Sequence, residues 1–309
     1  MILSILQMVL PVLAAIGLGA LCRRKKLFGE EGLAGLKTIV GKITLPAVLF
    51  YAYFTAEYSG KIALTFVTVF VACVLGLAAG FFLRRFMKPF EKFLPFLLTE
   101  FEAGMLGYAL YNLLYPGQTH VFAMIDIGQT FCTFTVFLAV LKAVNGEKVS
   151  LKELGRNMVT NVVLVCMVLG AGLGVLGVGK LAMASAAGPV ITELMQFLAA
   201  PTSMLILIIV GYELSLNKTL LTPVLKTVGL RLAVMLPLLA LTAITVFQFI
   251  PFDKKLFAAM LLAFTLPAPF ILPLYAEAAE HRAYLSTSLS MQALVSVALF
   301  MGIAAYSLA

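Results

Sequence analysis

Charged residues are scarce in this chain, and their scarcity excludes most kinds of soluble protein. Only 12% of the 309 residues are Asp, Glu, Lys or Arg, whereas 62% are apolar. Soluble domains carry roughly a quarter of charged residues. No soluble domain, low-complexity segment or long linker is found along the chain. The composition therefore predicts an all-α polytopic membrane protein.

Histidine and cysteine are also rare, with two and four residues respectively. The cysteines show neither CxxC nor His spacing, which argues against a metal site and a disulfide framework. The motifs GxSxG, HExxH, Walker A and a strand-to-helix GxGxxG are absent. We expect a protein that is not an enzyme and holds no metal or organic cofactor, with H⁺ or Na⁺ as conceivable coupling ions.

Ten apolar stretches are each close to the ~20 residues that a spanning helix needs. The longest polar connection, 142–157, divides them into five and five, and an odd number of spans per half requires the second half to enter from the opposite side. We therefore predict two inverted five-helix repeats, 1–141 and 158–309, joined by the linker 142–157. The predicted spans are 3–21, 36–55, 62–83, 93–115, 120–141, 158–179, 190–211, 224–250, 255–279 and 284–308.

The net charge of +8 is distributed over alternate loops and not gathered into a patch that would bind nucleic acid. By the positive-inside rule, the loops rich in Lys and Arg are cytoplasmic. Both termini are then predicted outside a plasma membrane, with membrane lipid and a small-molecule substrate as partners. The basic loops contain Arg23, Arg24, Lys25, Lys26, Arg84, Arg85, Lys88, Lys92, Lys142, Lys148, Lys152, Arg156, Lys218 and Arg282; the opposite loops contain Lys61, Lys180, Lys254 and Lys255.

Spans four and nine carry residues that interrupt helices. Gly104 and Gly107 lie in span four, and Pro267, Pro269 and Pro273 lie in span nine. Glycine tolerates an unwound backbone and proline removes a helical donor, so both spans are predicted to unwind, at 104–107 and 267–273, and to cross near the midplane. Paired interrupted spans are typical of a transporter's binding site. Free carbonyls would attract cations there, and a half-helix after the second break would attract anions.

Carboxylates inside apolar spans suggest function, because a charge in lipid is costly. Glu100 and Glu102 lie in span four, whose motif ends at Asn112. Asp126 lies in span five with Gln129 one turn further on. Glu102, alone or with Glu100 or Asp126, is predicted to bind a proton or cation. The alternatives are that Glu100 reaches the inner interface and that Asp126 is hydrated at the outer mouth.

Three basic residues of the spans admit a structural interpretation. Lys42, Lys226 and Arg231 lie within a few turns of the predicted inner surface, so their side chains are expected to snorkel to it.

Short motifs along nearly the whole chain resemble the auxin efflux carrier family of secondary transporters. The resemblance implies a scaffold of helices 1, 2, 6 and 7, a transport domain of helices 3–5 and 8–10, a substrate site at the crossing of helices 4 and 9, organic-acid substrates and a homodimer. Glu102 stands where the family commonly has asparagine, Ala109 where it has proline, and Ile271 at an often polar position. The motifs are Leu45–Phe50, Gly104–Gly107, Ala200–Gly211, Arg231–Pro237, Leu266–Ala268 with Tyr275–Ala276, and Ser286–Ser290.

The function predicted from the sequence is secondary transport of a small organic solute, an organic acid anion by resemblance, through elevator or rocking motion. Two alternatives remain open. One is a sensor or assembly protein that kept the carrier fold and lost transport. The other is a sodium symporter of the bile-acid type, which would need more polar residues in span nine than the sequence has.

Overall fold

A computed structural model describes residues 2–56, 58, 60–147 and 150–308, and all regular structure within these ranges is helical. Lys148, one of the loop residues used to predict the topology, lies outside the described residues. The helices are α1 (Ile2–Lys25), α2 (Glu30–Ile39), α3 (Leu45–Phe54), α4 (Gly60–Leu83), α5 (Leu94–Leu97), α6 (Tyr108–Leu114), α7 (Thr119–Cys132), α8 (Leu138–Val144), α9 (Leu151–Thr160), α10 (Val162–Val175), α11 (Val178–Ala184), α12 (Gly188–Ala199), α13 (Thr202–Glu213), α14 (Leu221–Phe249), α15 (Lys254–Thr265) and α16 (Ala279–Leu308).

Seven helical segments of the described chain are long and apolar enough to cross a membrane. They coincide with predicted spans one, two, three, five, seven, eight and ten, which confirms a multi-pass, all-α membrane architecture. Spans two and five each contain a π-helical turn, Val40–Thr44 and Thr133–Phe137. Such turns replace a regular α-helical turn and are frequent at functional sites.

Span six begins later than predicted and is bent. The linker helix α9 ends at Thr160, and the side chain of Asn161 accepts a hydrogen bond from the Leu164 N–H at 3.1 Å, so α10 begins only after this cap. Its axis then turns by 77° into α11. Gly177 lies at this bend with φ +76°, a left-handed conformation that glycine adopts without strain.

Span four is interrupted earlier than predicted. After the single turn α5, residues 98–102 are not helical, whereas Ala103–Gly107 forms a π-helical turn that leads into α6. Glu100 takes the left-handed φ of +51° at the break. Gly107 serves close packing and not unwinding, because a Cβ there would lie 2.5 Å from the Phe122 ring.

Span nine is interrupted where the prolines predict. Helix α15 ends at Thr265, and regular structure returns only as the single 3₁₀ turn Leu272–Tyr275 before α16. The half-helix expected after the break is therefore missing, because closely spaced prolines remove the backbone donors that would continue it.

Glycines allow two pairs of helices, α1 with α13 and α3 with α10, to pack closely. Helix α1 packs along α13, and α3 packs along α10, in the two most extensive helix contacts. A Cβ at Gly170 would lie 2.6 Å from the Phe50 carbonyl oxygen, and one at Gly174 would lie 2.7 Å from that of Tyr53. The small residues of span six therefore allow close approach of the backbones, as their spacing predicts.

Candidate functional site

The two interrupted segments meet through their backbones. The Glu102 N–H donates a hydrogen bond of 2.8 Å to the Pro267 carbonyl oxygen. Non-helical backbone inside an apolar protein is tolerated only where other groups satisfy its polar atoms or where it lines a cavity. Each free N–H and carbonyl at this junction therefore needs a partner.

The Glu102 side chain supplies two of these partners. One carboxylate oxygen, Oε1, accepts from the Met105 N–H at 3.1 Å, and Oε2 accepts from the Phe270 N–H at 2.7 Å. Glu102 thus caps the helical run that starts at Ala103 and joins it to the segment after the second break. Backbone N–H groups at a helix start favour such an acceptor.

Arg231 donates hydrogen bonds to free backbone carbonyl oxygens of both interrupted segments. Its Nη1 donates to the carbonyl oxygens of Leu97 at 2.8 Å and Thr99 at 3.2 Å. Its Nη2 donates to those of Glu100 and, at 2.9 Å, Leu266, while Nε donates to Leu266 at 3.2 Å. A guanidinium has five N–H donors, and all five are used.

The expectation that Arg231 snorkels to the inner surface is therefore wrong, since only 3% of the residue is exposed. The breaks leave carbonyl oxygens at the depth of this side chain, and they bind the guanidinium more effectively than a distant interface could. Lys226, one turn and a half earlier, donates to the Phe86 carbonyl at 2.7 Å and is exposed. Lys42 is also exposed.

Side chains of helix α16 are hydrogen-bond partners of the backbone at the break in span nine. The Gln292 Oε1 accepts from the Ala268 N–H at 2.8 Å, and the Ser296 hydroxyl donates to the Thr265 carbonyl. The polar character of span ten thus serves the backbone of span nine.

A cavity of about 180 Å³ lies between the interrupted segments, helix α7 and the helices α3 and α10. Two carboxylates, Glu102 and Asp126, line it, and no Lys, Arg or His does so among the described residues. The other lining residues are Leu49, Phe101, Ala103, Gly104, Gln129, Thr130, Thr133, Phe134, Asn161, Val163, Leu164, Met167, Pro269 and Ile271.

Asp126 is held by two hydroxyl groups. Its Oδ2 accepts from the Tyr108 hydroxyl and its Oδ1 from the Thr130 hydroxyl, each at 2.9 Å. Because only 3% of Asp126 is exposed, it is not a surface carboxylate at the mouth of the protein, which was the alternative interpretation.

Glu100 lies behind the cavity wall and is fully buried. Its Oε2 accepts from the Thr133 hydroxyl at 2.7 Å, and this hydroxyl accepts from Gln129 Nε2 at 3.0 Å. The Glu100 Oε1 has no hydrogen-bond partner within the described chain. The alternative that Glu100 reaches the inner interface is therefore wrong, since the left-handed turn at this residue directs its side chain toward α7.

The remaining predicted residues divide between this cavity and other places. Gly104 and Pro269 line it. Asn112 lines a separate cavity of about 450 Å³, where its Oδ1 accepts from the Gly117 N–H at 3.3 Å. Pro273 lines a third cavity of about 90 Å³.

Tyr108 lies between the two larger cavities. Its side chain lines the cavity of about 450 Å³, and its hydroxyl binds Asp126, which lines the cavity of about 180 Å³. Nearby, the Tyr53 hydroxyl donates a hydrogen bond of 3.0 Å to the carbonyl oxygen of Ala123, which lies on the same helix as Asp126. The Tyr108–Asp126 hydrogen bond therefore links a residue of one cavity lining to a residue of the other.

Two residues important for the junction, Arg231 and Gln292, are missing from the residues predicted for the site. Arg231 could have been found because it is a basic residue inside a long apolar segment. Gln292 could have been found because it belongs to the polar part of span ten.

No protein-family model matches the chain, and no curated protein is found to be similar to it.

Proposed function

We propose that this protein is a secondary transporter of a small organic solute, which binds at the junction of the two interrupted segments. The observation that carries the proposal is the cavity of about 180 Å³, enclosed between unwound backbone on one side and regular helices on the other. Interrupted helices that meet at a cavity are the typical substrate site of transporters.

Ten spans in two inverted repeats are part of the proposal. The interrupted segments occupy the fourth and ninth places, and the bent α10–α11 pair occupies the sixth. The close pairs α1–α13 and α3–α10 match the scaffold implied by the resemblance to auxin efflux carriers. On this interpretation the other spans form the transport domain, both termini lie outside the plasma membrane, and the scaffold offers a surface for a homodimer.

Hydrogen-bond chemistry favours Asp126 over Glu102 as the coupling group. Both Glu102 oxygens accept from backbone N–H groups, which can only donate, so this side chain has a fixed structural role. Both partners of Asp126 are hydroxyls, and a hydroxyl can donate to a carboxylate or accept from a carboxylic acid. Asp126 can therefore gain and lose a proton without leaving its partners unsatisfied.

The charge of the cavity connects coupling to substrate. An organic acid anion, the substrate class that the resemblance implies, would meet two carboxylates and no basic side chain of the described lining. Like charges within one cavity oppose binding. We propose that a proton on Asp126 accompanies the anion. Release of this proton on the opposite side of the membrane then frees the substrate.

Flux into proteoliposomes tests the function. Purified protein should move at least one small organic acid, faster when an inward proton gradient is imposed. Asp126→Asn should retain substrate binding and lose the pH dependence of flux, because the amide cannot release a proton, whereas Glu102→Gln should retain the pH dependence. A wild-type pH profile in Asp126→Asn would rule out this coupling group. Absence of flux for a broad panel of solutes would favour the sensor or assembly alternative.

A further inference from the structure

The Arg231 guanidinium occupies a site made of carbonyl oxygens deep in a span. Arg231 lies ten residues after the start of α14, or about 15 Å at 1.5 Å per residue. Only 3% of the residue is exposed. An arginine is always charged in proteins, so a permanent positive charge lies at the centre of the junction.

The partners of this charge are backbone oxygens. Four carbonyl oxygens, those of Leu97, Thr99, Glu100 and Leu266, converge on it. The ion pair found in the described chain joins Lys37 to Glu213 and does not involve Arg231. Glu100 contributes its backbone carbonyl oxygen to this site, while its side chain binds the Thr133 hydroxyl.

Converging carbonyl oxygens of unwound helices are the ligands that bind a coupling Na⁺ in other transporter architectures. We propose that Arg231 is a positioning residue that takes the place of such a cation, so that the junction is held together without Na⁺. The guanidinium joins the segment of residues 97–100 to Leu266 and makes them one body. Transport would then be independent of Na⁺ at this site.

The proposal is tested on purified protein by thermal unfolding in Na⁺, choline and millimolar guanidinium chloride at constant ionic strength. Wild-type protein should unfold at the same temperature in all three salts. Arg231→Ala should unfold at least about 3 °C lower in choline, and guanidinium or Na⁺ should restore part of the loss, because each can occupy the vacated oxygen site. Chemical rescue separates a vacated cation site from general loss of packing.

Lys226→Ala is the matched control, since Lys226 is a basic residue of the same helix that also donates to a carbonyl but is exposed. It should show a small loss that neither ion restores. If Arg231→Ala cannot be purified, Arg231→Lys keeps the charge with three donors and should give a melting temperature that is lower than that of the wild type and equal in all three salts.

Three results would overturn the proposal. They are a Na⁺-dependent melting temperature in the wild type, no loss of stability in Arg231→Ala, and a loss in that variant that neither ion restores. The readout requires no flux, so the proposal can hold or fail whatever the outcome of the transport assay.

Discussion

Replacing Glu102 should destabilise the protein through two backbone donors. In Glu102→Ala the Met105 N–H and the Phe270 N–H lose their acceptors, which lie at 3.1 and 2.7 Å in the wild type. An unsatisfied buried donor costs roughly 1–3 kcal/mol, so two donors cost roughly 2–6 kcal/mol. Water entering the adjacent cavity can satisfy part of this need, which places the expected loss near the lower limit.

Glu102→Gln should lie between the wild type and Glu102→Ala. The amide retains one acceptor oxygen and turns an NH₂ group, which is a donor, toward the second N–H. The expected loss is roughly half of that in Glu102→Ala, or about 1 kcal/mol. Loss of the charge alone would affect both variants equally, whereas the number of remaining acceptor oxygens gives this graded order.

Thermal unfolding in detergent measures both variants. A loss near 2 kcal/mol corresponds to a decrease of roughly 3 °C in the melting temperature of a chain of this length. Glu277→Ala is the control, since Glu277 is an exposed glutamate after the break in span nine. This variant should change the melting temperature little. A Glu102→Ala protein that melts within about 1 °C of the wild type would show that Glu102 does not hold the junction.

Two further predictions concern topology and packing. A cysteine at the exposed Lys152 should react with a membrane-impermeant reagent only after the cells are opened, and one at the exposed Lys180 should react in intact cells; the reverse pattern would refute the proposed orientation. Gly211→Ala should lower stability by about 1–3 kcal/mol, because its Cβ would overlap the Ile16 carbonyl oxygen. The control is Gly172→Ala, where a Cβ meets nothing within 4 Å and the gain in helix propensity should stabilise by about 0.5–1 kcal/mol; equal melting temperatures for the two variants would contradict this packing.

The apolar pattern was sufficient to predict the membrane-spanning elements. Seven of the predicted spans are uninterrupted helical segments, because hydropathy over a fixed length is imposed by the bilayer. The break in span nine was also predictable, since each proline removes a donor whatever its surroundings.

The break in span four was predicted too late in the chain because glycine has two uses. Gly107 accommodates the Phe122 ring, and the unwinding falls on Glu100, whose left-handed φ of +51° no composition rule predicts. Tertiary contacts select which residues unwind: Arg231 binds the carbonyls of 97–100, and Glu102 caps the next turn. These partners are far apart in sequence, so a pattern along the chain cannot identify them.

The same contacts limit how the protein can move. Arg231 joins residues 97–100 to Leu266, and the carboxylate of Glu102 joins Met105 to Phe270. A transport cycle that separated the two interrupted segments would have to break the buried bonds of Arg231 away from water, where no solvent replaces them. The cavity wall formed by α3, α10 and the preceding Asn161 contributes apolar side chains and one amide. Sliding along this surface would break the hydrogen bond from Tyr53 on α3 to Ala123 on α7 and would leave the bonds of Arg231 and Glu102 intact. We therefore expect the interrupted segments to move together against α3 and α10, with the Tyr108–Asp126 bond opening as the cavity changes its exposure from one side to the other.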